Sequence, residues 1–272
     1  MLKVVLLPLL AVIGGLGGFF LRRWELATAF ESTGLVTPWT AATVTLIVLS
    51  FALVLAFALL CRKPKNELST YIDAFSAQGS WLYLAVMALA SACLLVAALL
   101  GLKAELFSWP RSILRLLLWV LCIASFFCTL RIALNNFRRA AGKYSTALLI
   151  PAYTLCLWLV SSYQKYAADP VILDYVYELL AIICSLLGLY FTAAFSFAKP
   201  KFRRCVFFSL AGIYFSIVTL ADSHDRVTRL LYLFIILYQL ANVTVLLKNT
   251  FTAPPKHLKN TVNNTQEVIP DE

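Results

Sequence analysis

The chain has 272 residues, of which 61% are hydrophobic and 13% charged, against roughly 45–50% and about 25% in an ordinary soluble domain. An apolar excess joined to a charge deficit excludes a soluble enzyme, a disordered regulator and a disulfide-rich secreted module. At about 20 residues per bilayer span, it suffices for roughly eight spans. The 23 Lys and Arg against 13 Asp and Glu give a net charge of +10. No aromatic-interleaved basic motif accompanies that excess, so it reads as loop topology and no nucleic-acid partner is expected.

The first apolar run, 4–21, follows Lys3 and ends in Arg22-Arg23 without a small-residue cleavage site, which marks a retained span instead of a signal peptide. Residues Arg22 to Phe30 are expected to form a short interfacial helix that ends before Gly34. Further spans are expected at 40–61, 81–102, 113–131, 145–163, 172–197, 205–220 and 228–247, with 205–220 the weakest because it is short. The reading is thus an all-α polytopic transmembrane helix bundle of about eight spans over residues 1–248, followed by a disordered cytoplasmic tail, 249–272, which carries Pro254-Pro255. With eight spans, fifteen of the 23 cations fall on the side of the termini and eight on the other. Short cytoplasmic loops are enriched in Lys and Arg, so both termini are placed in the cytoplasm of a cell (plasma) membrane protein. Trp24, Trp39, Trp109, Tyr163 and Tyr166 are expected at the outer headgroup level, and Trp81 and Tyr144 at the inner one.

Seven cysteines, none in a C-x-x-C pair, and two histidines supply no metal-ligand spacing. The cysteines read as small apolar packing residues, and no cofactor or metal is expected. Gly14 and Gly18 form a GxxxG step, a close-packing motif.

Polar residues inside a bilayer are costly, so their pattern locates what the bundle must shield or use. One face of span four carries Arg111, Arg115, Cys122, Ser125, Thr129 and Asn136. Span six carries Asp174, Glu178, Ser185, Gly188, Thr192 and Ser196, and span seven carries Ser209, Gly212, Ser216, Thr219 and Ser223. Span eight adds Tyr232, Gln239 and Asn242 on a looser face. Such stripes are packing seams first. The charges at the outer ends are more specific. Arg115 is expected to meet Glu178 in the outer leaflet, with Arg111, Asp174, Tyr163, Tyr166 and Tyr177 around them and the loop of Asp222, His224 and Asp225 above. That convergence of acid, base, histidine and aromatic residues is the candidate binding site.

Function at this stage is small-molecule binding or transport with an externally open polar site. The alternatives are a structural or assembly subunit that binds another membrane protein or a second copy of itself, and a membrane-embedded hydrolase built on His224. No span centre holds a carboxylate, Lys or Arg, which argues against a coupled pump and against a retinal Schiff base.

The stretch Gly14-Gly15-Leu16-Gly17-Gly18-Phe19, with Leu21-Arg22-Arg23-Trp24-Glu25-Leu26, Phe30-Glu31 and Thr33-Gly34-Leu35, resembles the opening of uncharacterised multi-pass membrane proteins of Gram-positive bacteria. The resemblance covers about the first 35 residues. It implies a cell-membrane setting and carries no activity or site residue.

Overall fold

The computed structural model describes residues 2–29, 39–61, 68, 70–107, 112–140, 144–167 and 171–251, the side chains of residues 2, 3 and 172–174 excepted. Its helices are α1 (Leu2–Thr28), α2 (Ala41–Leu60), α3 (Tyr71–Phe75), α4 (Trp81–Phe107), α5 (Ile113–Arg138), α6 (Ser145–Tyr166), α7 (Ile172–Ala194), α8 (Phe202–Thr219) and α9 (Arg226–Phe251). A 3-10 turn, Phe195–Phe197, extends α7. All but α3 are long and apolar enough to cross a membrane, which makes the chain an integral membrane protein of the polytopic all-α class.

Local chemistry sets several boundaries. The Thr40 hydroxyl accepts from the Thr43 amide at the start of α2, Thr70 does so for Asp73 in α3, and Ser112 for Arg115 in α5. Each satisfies one of the amides that a helix start leaves without a carbonyl. Arg139 closes α5 in the left-handed region and donates to Asp73, tying α3 to the α5 terminus.

Helices α8 and α9 lie at the centre. Along α8 every residue from Ser209 to Thr219 is buried. Helices α7, α1 and α9 pack around α8, while α4 packs on α9 and α5 and α6 bridge from α4 back to α7. Helix α2 sits outside, packed mainly on α1, and turns Val48, Phe51 and Leu59 outward. A helix enclosed by protein need not be apolar on every face, so the central α8 can afford Ser209, Gly212, Ser216 and Thr219.

The small-residue stripes become contacts within the bundle. The hydroxyls of Ser125 and Thr154 meet at 2.6 Å between α5 and α6, those of Ser91 and Thr129 at 3.0 Å between α4 and α5, and Ser145 and Ser196 at 3.0 Å. The Gln239 amide nitrogen donates to the Ser185 carbonyl at 3.0 Å, across α9 and α7. Where α3 packs, Asn136 donates to the hydroxyls of Tyr71 and Tyr83, and Asn249 donates to the carbonyls of Ala74 and Ser76. Cys61, Cys122 and Cys205 are buried packing residues, whereas Cys156 is exposed on the bundle surface; all seven cysteines are unbridged.

The structure refines several expectations. Residues Arg22 to Thr28 form no separate interfacial helix: α1 continues through them because its buried face does. That face, Leu7, Ala11, Gly15, Gly18, Arg22, Glu25 and Ala29, repeats in steps of three and four. The GxxxG step divides between two neighbours, Gly14 facing Leu53 of α2 and Gly18 facing Val218 and Tyr214 of α8. Tyr144, at the start of α6, is buried against Tyr71. The tail begins later than expected, since α9 runs to Phe251 with Asn249 engaged on α3; residues 252–272 lie outside the described residues.

Candidate functional site

One end of the bundle gathers the α1 C-terminal turns, the last turn of α6, the α7 N-terminal turns, the α8–α9 loop and the start of α9. Spacing along α1 dictates the first contact. Arg22 and Glu25 are three residues apart, hence on one face, and Arg22 Nη1 donates to Glu25 Oε2 at 2.7 Å with both side chains fully buried. Arg22 Nε reaches Asp222 Oδ1 at 2.7 Å, and the guanidinium lies 5.1 Å above the Tyr177 ring. An arginine placed between two carboxylates and an aromatic face is the arrangement its planar fork favours.

The short α8–α9 loop carries the contacts onward. Thr219 Oγ1 donates to Asp222 Oδ2 at 2.9 Å and lies 3.0 Å from His224 Nε2. A threonine hydroxyl has a single proton, here given to Asp222, so His224 Nε2 brings the proton of the second bond. The other ring nitrogen, Nδ1, stands 3.7 Å from Glu178 Oε2. Tyr166 donates to that same oxygen at 2.8 Å and accepts from the exposed Lys165 ammonium at 2.9 Å. A continuous chain thus runs Lys165, Tyr166, Glu178, His224, Thr219, Asp222, Arg22, Glu25, from an exposed cation to a buried carboxylate. Tyr232 of α9 packs its ring on His224 at 5.2 Å and on Trp158 at 4.9 Å.

Two features make the cluster unusual. Among the described residues the cluster holds three carboxylates and one guanidinium: Glu25 and Asp222 pair with Arg22, Glu178 stands beside His224, and their side chains are 0%, 11% and 4% exposed. Burial leaves such an imbalance uncompensated by water. In addition, Glu25 Oε1 and the Tyr232 hydroxyl are buried without a hydrogen-bond partner of good geometry. Burial also acts on Asp222, which lies between spans: desolvation pushes its carboxyl above the ordinary value of 3.8, with Arg22 and Thr219 acting in the opposite sense.

Of the residues expected at the site, the structure brings together Glu178, Asp222 and His224, with Tyr166 and Tyr177 beside them. Arg115 does not meet Glu178. It is half exposed and pairs at 3.3 Å with Glu105 of α4, whose other oxygen accepts the Ser112 amide, so that pair closes the α4–α5 connection. Asp225 is exposed and accepts the Thr228 amide at 3.2 Å as the cap of α9. Tyr163 is exposed, one position past Ser162 on the outward face of α6. Arg111 and the Asp174 side chain lie outside the described residues. Arg22, Glu25 and Thr219 are the residues that the charge pattern missed. Their signal was present, since Arg22 and Glu25 continue the glycine face of α1 and Thr219 continues the stripe of α8.

Thr219, His224 and Glu178 have the composition of a hydroxyl–imidazole–carboxylate triad. The Thr219 hydroxyl is nevertheless fully buried and donates to Asp222 instead of His224, an arrangement that holds charge and gives no exposed nucleophile. Among the described residues, no group of three or more His, Cys, Asp and Glu is placed to hold a metal ion. Comparison with known protein families, curated proteins and solved structures finds no match for the chain.

Proposed function

We propose that the protein binds a small cationic molecule, a protonated amine in the first instance, at the buried cluster of α1, α7 and the α8–α9 loop, as a binding or transport-type protein of the cell membrane. The observation that carries this reading is the excess of carboxylate over cation among the described residues of the cluster, with Glu25 Oε1 lacking a hydrogen-bond partner. A positively charged group at that oxygen would reduce the excess, and Tyr177 and Tyr232 supply aromatic rings of the kind that favour organic cations. The cation-poor loops on the cluster side support an orientation with the cluster at the outer end of the bundle, where an external molecule would arrive.

The assembly-subunit reading has less support, because the small-residue stripes it would offer to a partner are used inside the bundle, as at Ser125–Thr154 and Ser91–Thr129. The test is thermal unfolding of the full chain in lipid nanodiscs with methylammonium, guanidinium or acetate. Methylammonium or guanidinium at about one hundred times its dissociation constant should stabilise the fold by about 2.7 kcal/mol, while acetate should not. In Glu25→Gln the cation-dependent shift should vanish. A shift that survives in Glu25→Gln, or no shift with either cation, defeats the proposal.

A further inference from the structure

The geometry points to a proton held by the cluster itself and exchanged between Glu178 and Asp222 through His224 and Thr219. Among the described residues of the cluster, one guanidinium stands with three carboxylates, an excess of two negative charges before any proton on the imidazole is counted. A cationic ligand supplies one positive charge and a bound proton the other, and together they make the buried cluster neutral.

Hydrogen-bond directions then say where that proton resides. In one state Glu178 carries it on Oε2, facing His224 Nδ1 at 3.7 Å, while His224 Nε2 donates to Thr219 and Thr219 donates to an ionised Asp222. In the other state every bond reverses. Asp222 donates to Thr219, Thr219 donates to Nε2, and Nδ1–H faces an ionised Glu178. Passage between them breaks the Glu178 O–H, His224 Nε2–H and Thr219 O–H bonds. It forms the His224 Nδ1–H bond, a new Thr219 O–H bond and the Asp222 O–H bond. One proton moves, the imidazole changes tautomer, and total charge is unchanged. The 3.7 Å separation is longer than a hydrogen bond, so the transfer requires the Glu178 carboxyl to close on His224 Nδ1.

The groups facing this pair come from every neighbouring element. They are Arg22 and Glu25 of α1, Tyr166 of α6, Tyr177 of α7 and Tyr232 of α9, with Lys165 and Asp225 exposed at the rim. Tyr166 gives a proton a way in from the surface: the Lys165 ammonium gives a proton to the Tyr166 oxygen as the Tyr166 hydroxyl gives its own to Glu178, and water reprotonates the Lys165 amine. The far end has a mechanical consequence. Ionised Asp222 holds Arg22, and with it α1, against the α8–α9 loop at 2.7 Å; protonated Asp222 holds it with a neutral acceptor only. Protonation at one edge is thereby read out as the strength of the clamp on α1.

The proposal rests on the reading that this cluster is the functional site, but it is tested without ligand, so the two can fail separately. Infrared spectra of the full chain in nanodiscs near pH 7 should contain a carboxylic-acid carbonyl band that shifts in heavy water. Both Glu178→Gln and Asp222→Asn should lose that band, since each removes a charge that the proton neutralises; Glu105→Gln, outside the cluster, should keep it. Absence of the band in the unaltered protein overturns the proposal whether or not the variants fold. Loss in one variant alone pins the proton to a single carboxylate and overturns the exchange. Hydrogen exchange of the α1 amides from Arg22 to Thr28 reads the clamp. Corrected for the intrinsic pH dependence of amide exchange, protection there should fall on acidification in the unaltered protein and stay constant with pH in Asp222→Asn, and pH-independent protection in both removes the link.

Discussion

Arg22 is the residue on which the end cluster depends. It is fully buried, shared between Glu25 and Asp222, and stacked on Tyr177. Arg22→Leu would leave two carboxylates buried without their cation and should destabilise the protein by about 3–5 kcal/mol, the range for breaking a buried pair from one side. Arg22→Lys should lose a large part of that, because an ammonium cannot span both carboxylates with a planar fork. Chemical unfolding of the two variants beside the unaltered chain measures both, and a loss under 1 kcal/mol in Arg22→Leu contradicts the pairing. Asp222 makes the complementary prediction in pH. Its folded-state value lies above the ordinary 3.8 because burial outweighs the attraction of Arg22. The folded state therefore holds the proton more tightly than the unfolded one. The contribution of this group to stability is greatest at low pH and declines as pH rises from about 4 through the raised value. Asp222→Asn, neutral at every pH, should remove that part of the stability–pH slope, and an unchanged slope would assign it elsewhere.

At the scale of the element, the α1–α8 seam sets how closely the clamp on α1 can form. A methyl group at Gly18 would stand 2.6 Å from Val218 Cγ2 and one at Gly15 2.9 Å from Ile217, both on the enclosed face of α8, whereas a methyl at Gly17 meets only Leu49, at 3.9 Å. Gly18→Leu should therefore push α1 off α8 at a cost of about 1–3 kcal/mol or more, while Gly17→Ala should be tolerated. Equal unfolding midpoints for the two variants would dispose of the seam. The same helix shows what was legible in advance. Apolar length alone located all eight spanning helices, with ends displaced mainly where helices run on past the expected apolar run, as α5 does to Arg138 and α9 to Phe251. The weakest expected span became α8, the most enclosed, because low apolarity in a helix without lipid contact signals burial as readily as a loop. Small-residue periodicity foretold the seams of α5 and α7. It did not foretell that Arg22 and Glu25 belong to α1's buried face, because charges after an apolar run resemble a loop until the glycine period is carried through them. Nor did it choose Glu105 over Glu178 for Arg115, since both carboxylates lie at the same end and only the fold decides which one faces it.

For the whole molecule, the open relation is between the cluster and the two sides of the membrane. The chain alternates through eight spanning helices, so the α1 C-terminus, the α6 C-terminus, the α7 N-terminus and the α8–α9 loop share one end, and α3 with the α5 and α9 C-termini share the other. By sequence, eight of the 23 cations belong to the cluster end and fifteen to the other, and Arg22, one of the eight, is paired internally with Glu25 and Asp222. The α3 end holds Arg138, Arg139, Lys199, Lys201, Arg203, Arg204 and Lys248, of which Arg203 also binds the Cys61 carbonyl at 2.9 Å. Cations of short loops stay in the cytoplasm, so the α3 end should face inward and the charged cluster outward. The prediction is concrete in a chain whose native cysteines, among them the exposed Cys156, are replaced. A single cysteine at Gly34, in the connection after α1, should react with an impermeant thiol reagent added to intact cells, and one at Asn135, near the α5 C-terminus, should react only after the membrane is opened. The reverse pattern would turn the bundle over and place the carboxylate cluster in the cytoplasm, where a protonated amine would meet it from inside and the proton on Glu178 and Asp222 would report cytoplasmic pH. Reaction of both cysteines from one side would mean that the chain crosses the membrane an even number of times between them, and one of α2, α4 and α5 would then have to lie outside the bilayer.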